Sequence, residues 1–143
     1  ARKELALVLQ GIADVAGALD RHPVRIEAVE TLVGVRELLG EPWKAHASRL
    51  ELASALAAAE ELERAEGTLM ATLDGAKALA SGGNHAPASE AMAYTLIQLG
   101  ELLALRGRDD EAEAWLLGAL DLAGTDASRE AAEAALARFR AGR

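Results

Sequence analysis

Few residues in this sequence are of types that do chemistry, and their spacing decides what they could do. There are three histidines, His22, His46 and His85. A helical metal site needs a second ligand three or four residues away, as in Glu-x-x-His, so that both side chains leave one face. None of the three histidines has one. His22 and His85 stand beside Pro23 and Pro87, and His46 follows Trp43 at the start of a helical block. All three read as solvated turn histidines, with His85 keeping the most scope for function because it lies in a loop. The acidic clusters Glu60-Glu61-x-Glu63 and Asp109-Asp110-Glu111 contain paired carboxylates of the kind used in acid–base catalysis. Both fall at helix starts, where negative charge favours the helix dipole. Gly82-Gly83 lacks the lysine and hydroxyl that follow a phosphate loop, and no strand precedes it. No nucleophile-elbow motif surrounds any serine, and there is no cysteine. The expectation is a protein that is not an enzyme, with no catalytic residue, no metal and no cofactor.

Composition narrows the class. The chain has 143 residues, 51% apolar and 27% charged, enough for one packed domain and too apolar for a disordered chain. Aromatic residues are only Trp43, Trp115, Tyr94 and Phe139. The core is therefore built from Leu, Ala and Val, which suits close helix packing. A net charge of −8 argues against a nucleic-acid partner, and the small basic patch Arg138, Arg140 and Arg143 reads as solubilising charge. No apolar run approaches the ~20 residues of a membrane span, and no signal-peptide pattern is present. A soluble cytoplasmic protein that meets no membrane is the expectation. The first residue is Ala, so the chain is expected to be processed or cut from something longer.

Proline and glycine divide the chain into blocks of helical length. Breaks fall at Asp20-Arg21-His22-Pro23, at Gly40-Glu41-Pro42, over 81–89, at Gly107-Arg108-Asp109 and at Gly124-Thr125-Asp126. The prolines suit the first turn of the next helix, and Asp109 and Thr125 or Asp126 suit N-caps. Leu50 to Leu79 is too long for one ordinary helix and is broken near Glu60-Glu61. Apolar stripes recur at helical spacing: Leu5, Leu9, Ile12, Ala16 and Leu19 near the start, and Ala132, Ala135, Leu136 and Phe139 near the end. Val24, Ile26 and Ala28 alternate as a strand would, but Ala28, Leu32, Val35 and Leu39 keep a helical stripe, and a lone strand has no partner. The fold class is all-α, with about seven helices in antiparallel pairs.

Within these pairs, Leu96, Leu99, Gly100, Leu103, Ala112, Leu116, Ala119 and Gly124 follow the spacing W-x2-L-G-x2-Y, A-x3-F, P. The segment resembles a tetratricopeptide repeat. Fainter copies use Ile12, Val15, Ala16, Leu19, Ala28, Leu32, Val35 and Gly40, and then Leu52, Ala53, Leu56, Ala65, Leu69 and Thr72. The second of these holds Arg49 in the Trp slot and Lys77 in the Pro slot. The resemblance implies a single repeat domain over 1–143, a right-handed α-solenoid. Its repeats are 9–42, 46–79 and 93–126, its connector is 81–89, and its closing helix is 127–140. In that family the first helix of each pair lines a concave groove that holds a peptide or a partner's helix. Carried over, the groove residues are Ala47, Leu50, Ser54 and Ala57, with Tyr94, Ile97, Glu101 and Leu105. Family members that grip a chain-end carboxylate use asparagines and lysines there, which these slots lack.

The leading functional expectation is a non-catalytic interaction module or adaptor with a partly apolar groove, in which Ile97→Glu abolishes binding and leaves helicity intact. The alternatives are a self-associating regulatory or scaffold domain of a larger signalling protein, using Leu5, Val8 and Ile12, and an all-α enzyme or small-ligand sensor near Trp43–His46 or His85.

Overall fold

The computed structural model describes residues 1–83 and 88–143. Among them are seven helices and no strand: α1 (Arg2–Ala18), α2 (His22–Leu38), α3 (Pro42–Ala58), α4 (Leu62–Ser81), α5 (Ala88–Leu105), α6 (Asp109–Leu122) and α7 (Asp126–Ala141). The alternating block at Val24 is helix, as its second stripe requires. Pro23 and Pro42 occupy first turns, where no N–H is needed. His85 and Pro87, in the 81–89 connector, lie outside the described residues.

One turn is used four times. The residue two positions past the helix end takes a left-handed backbone: Asp20 (φ 55°), Gly40 (φ 69°), Glu60 (φ 63°) and Gly107 (φ 76°). Its N–H bonds back three residues, and the next N–H bonds back five, as in Arg21 to Ala16, Glu41 to Arg36, Glu61 to Leu56 and Arg108 to Leu103. These are the paired bonds of the Schellman C-cap, which satisfy carbonyls the helix leaves open. The expected break near Glu60 is one of them. Gly40 and Gly107 fit such a backbone freely. Asp20 and Glu60 adopt it at a cost of roughly 1–2 kcal/mol each. Helices α1 to α4 therefore start at residues 2, 22, 42 and 62, a step of 20. The same turn displaces the expected N-cap of α6 by one, to Arg108, with Asp109 the first helical residue.

The chain divides into two compact units, Ala1–Thr68 and Leu69–Arg143, with the boundary inside α4. In the first unit α2 packs on both α1 and α3. Its centre joins Ala13 of α1 to Ala28 and Val29 of α2, with Leu52 of α3 against them. Leu32 and Leu56 are fully buried, each worth about 1.5–3 kcal/mol. Polar ties run along the rim: Gln10 to Glu51 at 3.2 Å, Arg49 to Glu37, and Arg64 to Glu30 at 3.2 Å.

The stripe expected to bury α1 is corrected here. Of Leu5, Leu9, Ile12, Ala16 and Leu19 only Ala16 is buried, with Ala13 the other buried residue of α1, while Leu9 is half-buried and Leu5, Ile12 and Leu19 are exposed. The helix turns its small residues onto α2, because an alanine face permits close approach, and leaves its large aliphatic face outward.

In the second unit α5, α6 and α7 pack pairwise. Every side-chain slot quoted from the clear repeat in α5 and α6 is buried: Leu96, Leu99, Leu103, Ala112, Leu116 and Ala119. Gly100 is the point of closest approach. A Cβ there would lie 2.6 Å from Leu116 Cγ and 3.1 Å from the Ala112 carbonyl oxygen. The closing stripe Ala132, Ala135, Leu136 and Phe139 is buried as expected.

Gly100→Ala therefore forces α5 and α6 apart and lowers stability by about 1–3 kcal/mol in urea unfolding. Gly34→Ala, where a Cβ meets nothing within 4 Å, raises it by up to about 1 kcal/mol. Equal effects at the two glycines would refute the close-approach account.

Candidate functional site

The eight expected groove residues fall on two helices in different units. On α3, Ala47 and Ser54 are exposed and Leu50 and Ala57 half-buried, and their spacing puts them on one face. On α5, Tyr94, Glu101 and Leu105 are exposed, Leu105 by 71%. Glu101 is held by Arg138 of α7 at 3.1 Å.

Ile97 is different: it is 7% exposed and belongs to the core. A charge at this position would break packing before it touched a ligand, so the expectation that Ile97→Glu spares the fold is corrected. The cause lies in α5, which buries residues round most of its circumference. A helix packed on several sides has no free face at each expected slot.

His46 is also corrected. It is 4% exposed, in van der Waals reach of Trp43 with ring centroids 5.8 Å apart at 62°. It is a core histidine rather than a solvated one, because α3 buries both Ala45 and Ser48 beside it. His22 is the first residue of α2 and half-buried, and its Nδ1 has no hydrogen-bond partner among the described residues. It lines an open cleft of about 540 Å³ with Ile26, Glu27, Glu30, Glu61 and Arg64. Arg64 bridges Glu61 and Glu30 there, at 3.1 and 3.2 Å.

The acidic clusters are bound up in helix starts. Asp109, Asp110 and Glu111 form the first turn of α6. The Arg108 guanidinium, donating to Glu111 at 2.5 and 3.0 Å, holds that carboxyl below its ordinary value. Among the described residues no group of three or more His, Asp or Glu is placed to hold a metal ion, and no helix is long and apolar enough to cross a membrane.

Two features were missed at the level of sequence. One is Glu90 of α5. Its carboxylate accepts the Gly124 N–H at 2.7 Å, the Thr125 hydroxyl at 2.6 Å and the Ser128 hydroxyl at 2.9 Å. Thr125 and Ser128 also close a capping box at the start of α7. Glu90 thus ties α5 to the positive end of α7. The Thr125 hydroxyl, then the Gly124 N–H and Ser128, hold its carboxyl below its ordinary value. No motif announces a bond across 34 residues or more.

The other is a second cleft of the first unit, about 310 Å³. Lys3 and Leu7 of α1, Arg36 of α2, Leu39 and Glu41 of the following turn, and Lys44 of α3 line it. Each cation is ordinary in sequence; the α2–α3 turn brings Arg36 and Lys44 to one cleft, and α1, packed on α2, adds Lys3.

Because Glu90 has a depressed carboxyl pKa in the folded chain, its contribution is present above the unfolded value and lost as pH falls through the folded one. Glu90→Gln should therefore lower the urea midpoint at pH 7 relative to the parent. The gap between the two should narrow below the ordinary carboxylate value of 4.5. A gap independent of pH would mean that the charge contributes nothing.

Comparison with protein-family models and with curated proteins finds no match for this chain.

Proposed function

We propose that the chain is a non-catalytic protein-interaction module, with a tetratricopeptide-like fold of antiparallel helix pairs, that binds a peptide or helix of a partner protein. We place it in the cytoplasm. One observation carries this reading: on α5 the repeat slots Leu96, Leu99 and Leu103 are buried, while Tyr94 and Leu105 of the same helix are left to solvent. That is the division of labour the repeat family uses, core slots inward and ligand positions outward. On α3, Ala47 and Ser54 supply a second exposed strip of small side chains. Helix pairs in the first unit recur every 40 residues against the family's 34, so the likeness is to its packing rather than to its period. The test is affinity capture from a lysate of the source organism, comparing the parent with a Tyr94→Ser, Leu105→Glu variant. A protein recovered by the parent and lost by the variant supports the reading, and equal recovery overturns it.

A second reading, self-association, is favoured by α1. Leu5, Val8, Ile12, Val15 and Leu19 are all exposed, Val15 by 60% and Leu19 by 65%, and they recur at alternating spacings of three and four, the pattern of a helix–helix seam. Light scattering over a dilution series should then show a concentration-dependent dimer that Val15→Glu abolishes. A chain that stays monomeric at the highest concentration overturns it.

A further inference from the structure

The 310 Å³ cleft of the first unit concentrates positive charge on a chain whose net charge is −8. Three cations, Lys3, Arg36 and Lys44, line it against the single carboxylate of Glu41. Arg36 is fixed in place: it donates to the Ser48 hydroxyl at 2.5 Å, to the Lys44 carbonyl at 3.3 Å and to Gln10 Oε1 at 3.5 Å. These contacts use three of the five N–H groups of a guanidinium, leaving donors for a ligand already oriented. Lys44 is held by Glu41 at 2.9 Å. Lys3 is exposed and makes no ion pair among the described residues. The Glu41 carboxyl is held below its ordinary value by Lys44 first, with Lys3 and Arg36 adding to it, so the field of all three cations converges on one spot. Between them lies apolar surface: Leu7 is 75% exposed and Leu39 half-buried.

We infer that this cleft binds an acidic, leucine-bearing internal segment of a partner protein. Its carboxylates face Lys3, Arg36 and Lys44, and its aliphatic side chain covers Leu7 and Leu39. Charge complementarity selects the occupant. A basic segment meets three cations, and an uncharged one leaves them unused. A nucleic acid, bearing a phosphate at every step, is repelled by the acidic remainder of the chain and offers Leu7 nothing apolar. The cleft volume is at the lower end of those that hold small ligands, which suits a few side chains of an extended segment rather than a whole domain. The inference rests on the interaction-module reading and adds to it a second contact point, with stated chemistry, on different residues.

The probe is a fluorescein-labelled, amidated peptide of sequence Glu-Leu-Glu-Glu-Leu-Glu, titrated with the full chain and followed by fluorescence polarisation. The expected result is saturable binding that weakens steeply between about 50 mM and 500 mM salt. It should also weaken at least tenfold in Lys3→Glu and in Lys44→Gln, with helicity unchanged in both, and in Leu7→Ser. Lys77→Glu, an exposed cation of the second unit, should bind as the parent does, and a peptide with lysine for glutamate should not bind. Absence of saturable binding to the parent overturns the inference, as does equal weakening by Lys77→Glu. Loss of the peptide signal with Tyr94- and Leu105-dependent capture intact removes the cleft and leaves the module reading standing. Peptide binding without such capture removes the α5 surface and keeps the cleft.

Discussion

The left-handed turn with paired hydrogen bonds that closes four of the helices is the constraint on which the rest of the structure depends. A helix continues until a residue leaves the right-handed region, and here that happens at Asp20, Gly40, Glu60 and Gly107 with one hydrogen-bond scheme. The bond that spans five residues closes each of these helix ends in the same way and satisfies a carbonyl the helix leaves open. With 17 residues in each of α1, α2 and α3, the turns also set which side chains meet. Ala13 arrives opposite Ala28 and Val29. Moving one turn by a single residue would rotate the next helix by about 100° and take its small face away from its neighbour. Two of the four turns place Asp or Glu where glycine is unstrained, so that packing between helices, and not local preference, holds those backbones in position.

Packing uses small residues at the crossings and leucines beside them. With one phenylalanine, one tyrosine and two tryptophans in the chain, no large ring is available to fill wide gaps, so the helices must come close. Gly100 against Leu116 is the tightest instance, and Ala112 and Ala119 continue the seam along α6 with no exposed surface. The core is thus a set of short distances, more sensitive to an added methyl than to a lost one.

These two features explain what was legible in the sequence. Breaks are local chemistry: Pro23, Pro42, Gly40 and Gly107 mark turns on their own. The break at Glu60 was read from length alone, since Glu carries no turn signal. The slots of α5 and α6 were legible through the repeat resemblance, whose glycine and two alanine slots are positions where close helix packing needs small residues. What the pattern did not disclose is how many sides of a helix are covered. Ile97 was read as a groove position from the repeat resemblance and His46 as a solvated histidine at a helix start, but α5 and α3 are covered over a wide arc, so side chains off the main stripe are buried too. The stripe on α1 failed the opposite way: periodicity identified a true apolar face, and the helix buries its alanines instead. The Glu90 cap and the Lys3, Arg36 and Lys44 cleft join residues 34 or more apart or on separate helices, which single-sequence spacing does not reach.

Charged groups and apolar side chains divide differently between the interior and the surface of this chain. Of the carboxylates in the two acidic clusters, Glu111 is held by Arg108 and Glu61 by Arg64, while Glu90, which no cluster announced, is held by the start of α7. Unsatisfied surface lies elsewhere, in the aliphatic face of α1, in Leu105 at the end of α5 and in Leu7 among three cations. Each aliphatic side chain left in water forgoes about 1.5–3 kcal/mol that a partner's surface would return. Isolated exposed leucines are common on any protein. Leu5, Val8, Ile12, Val15 and Leu19, in line along α1 and its C-cap, make a continuous exposed apolar strip of the kind monomeric proteins rarely carry.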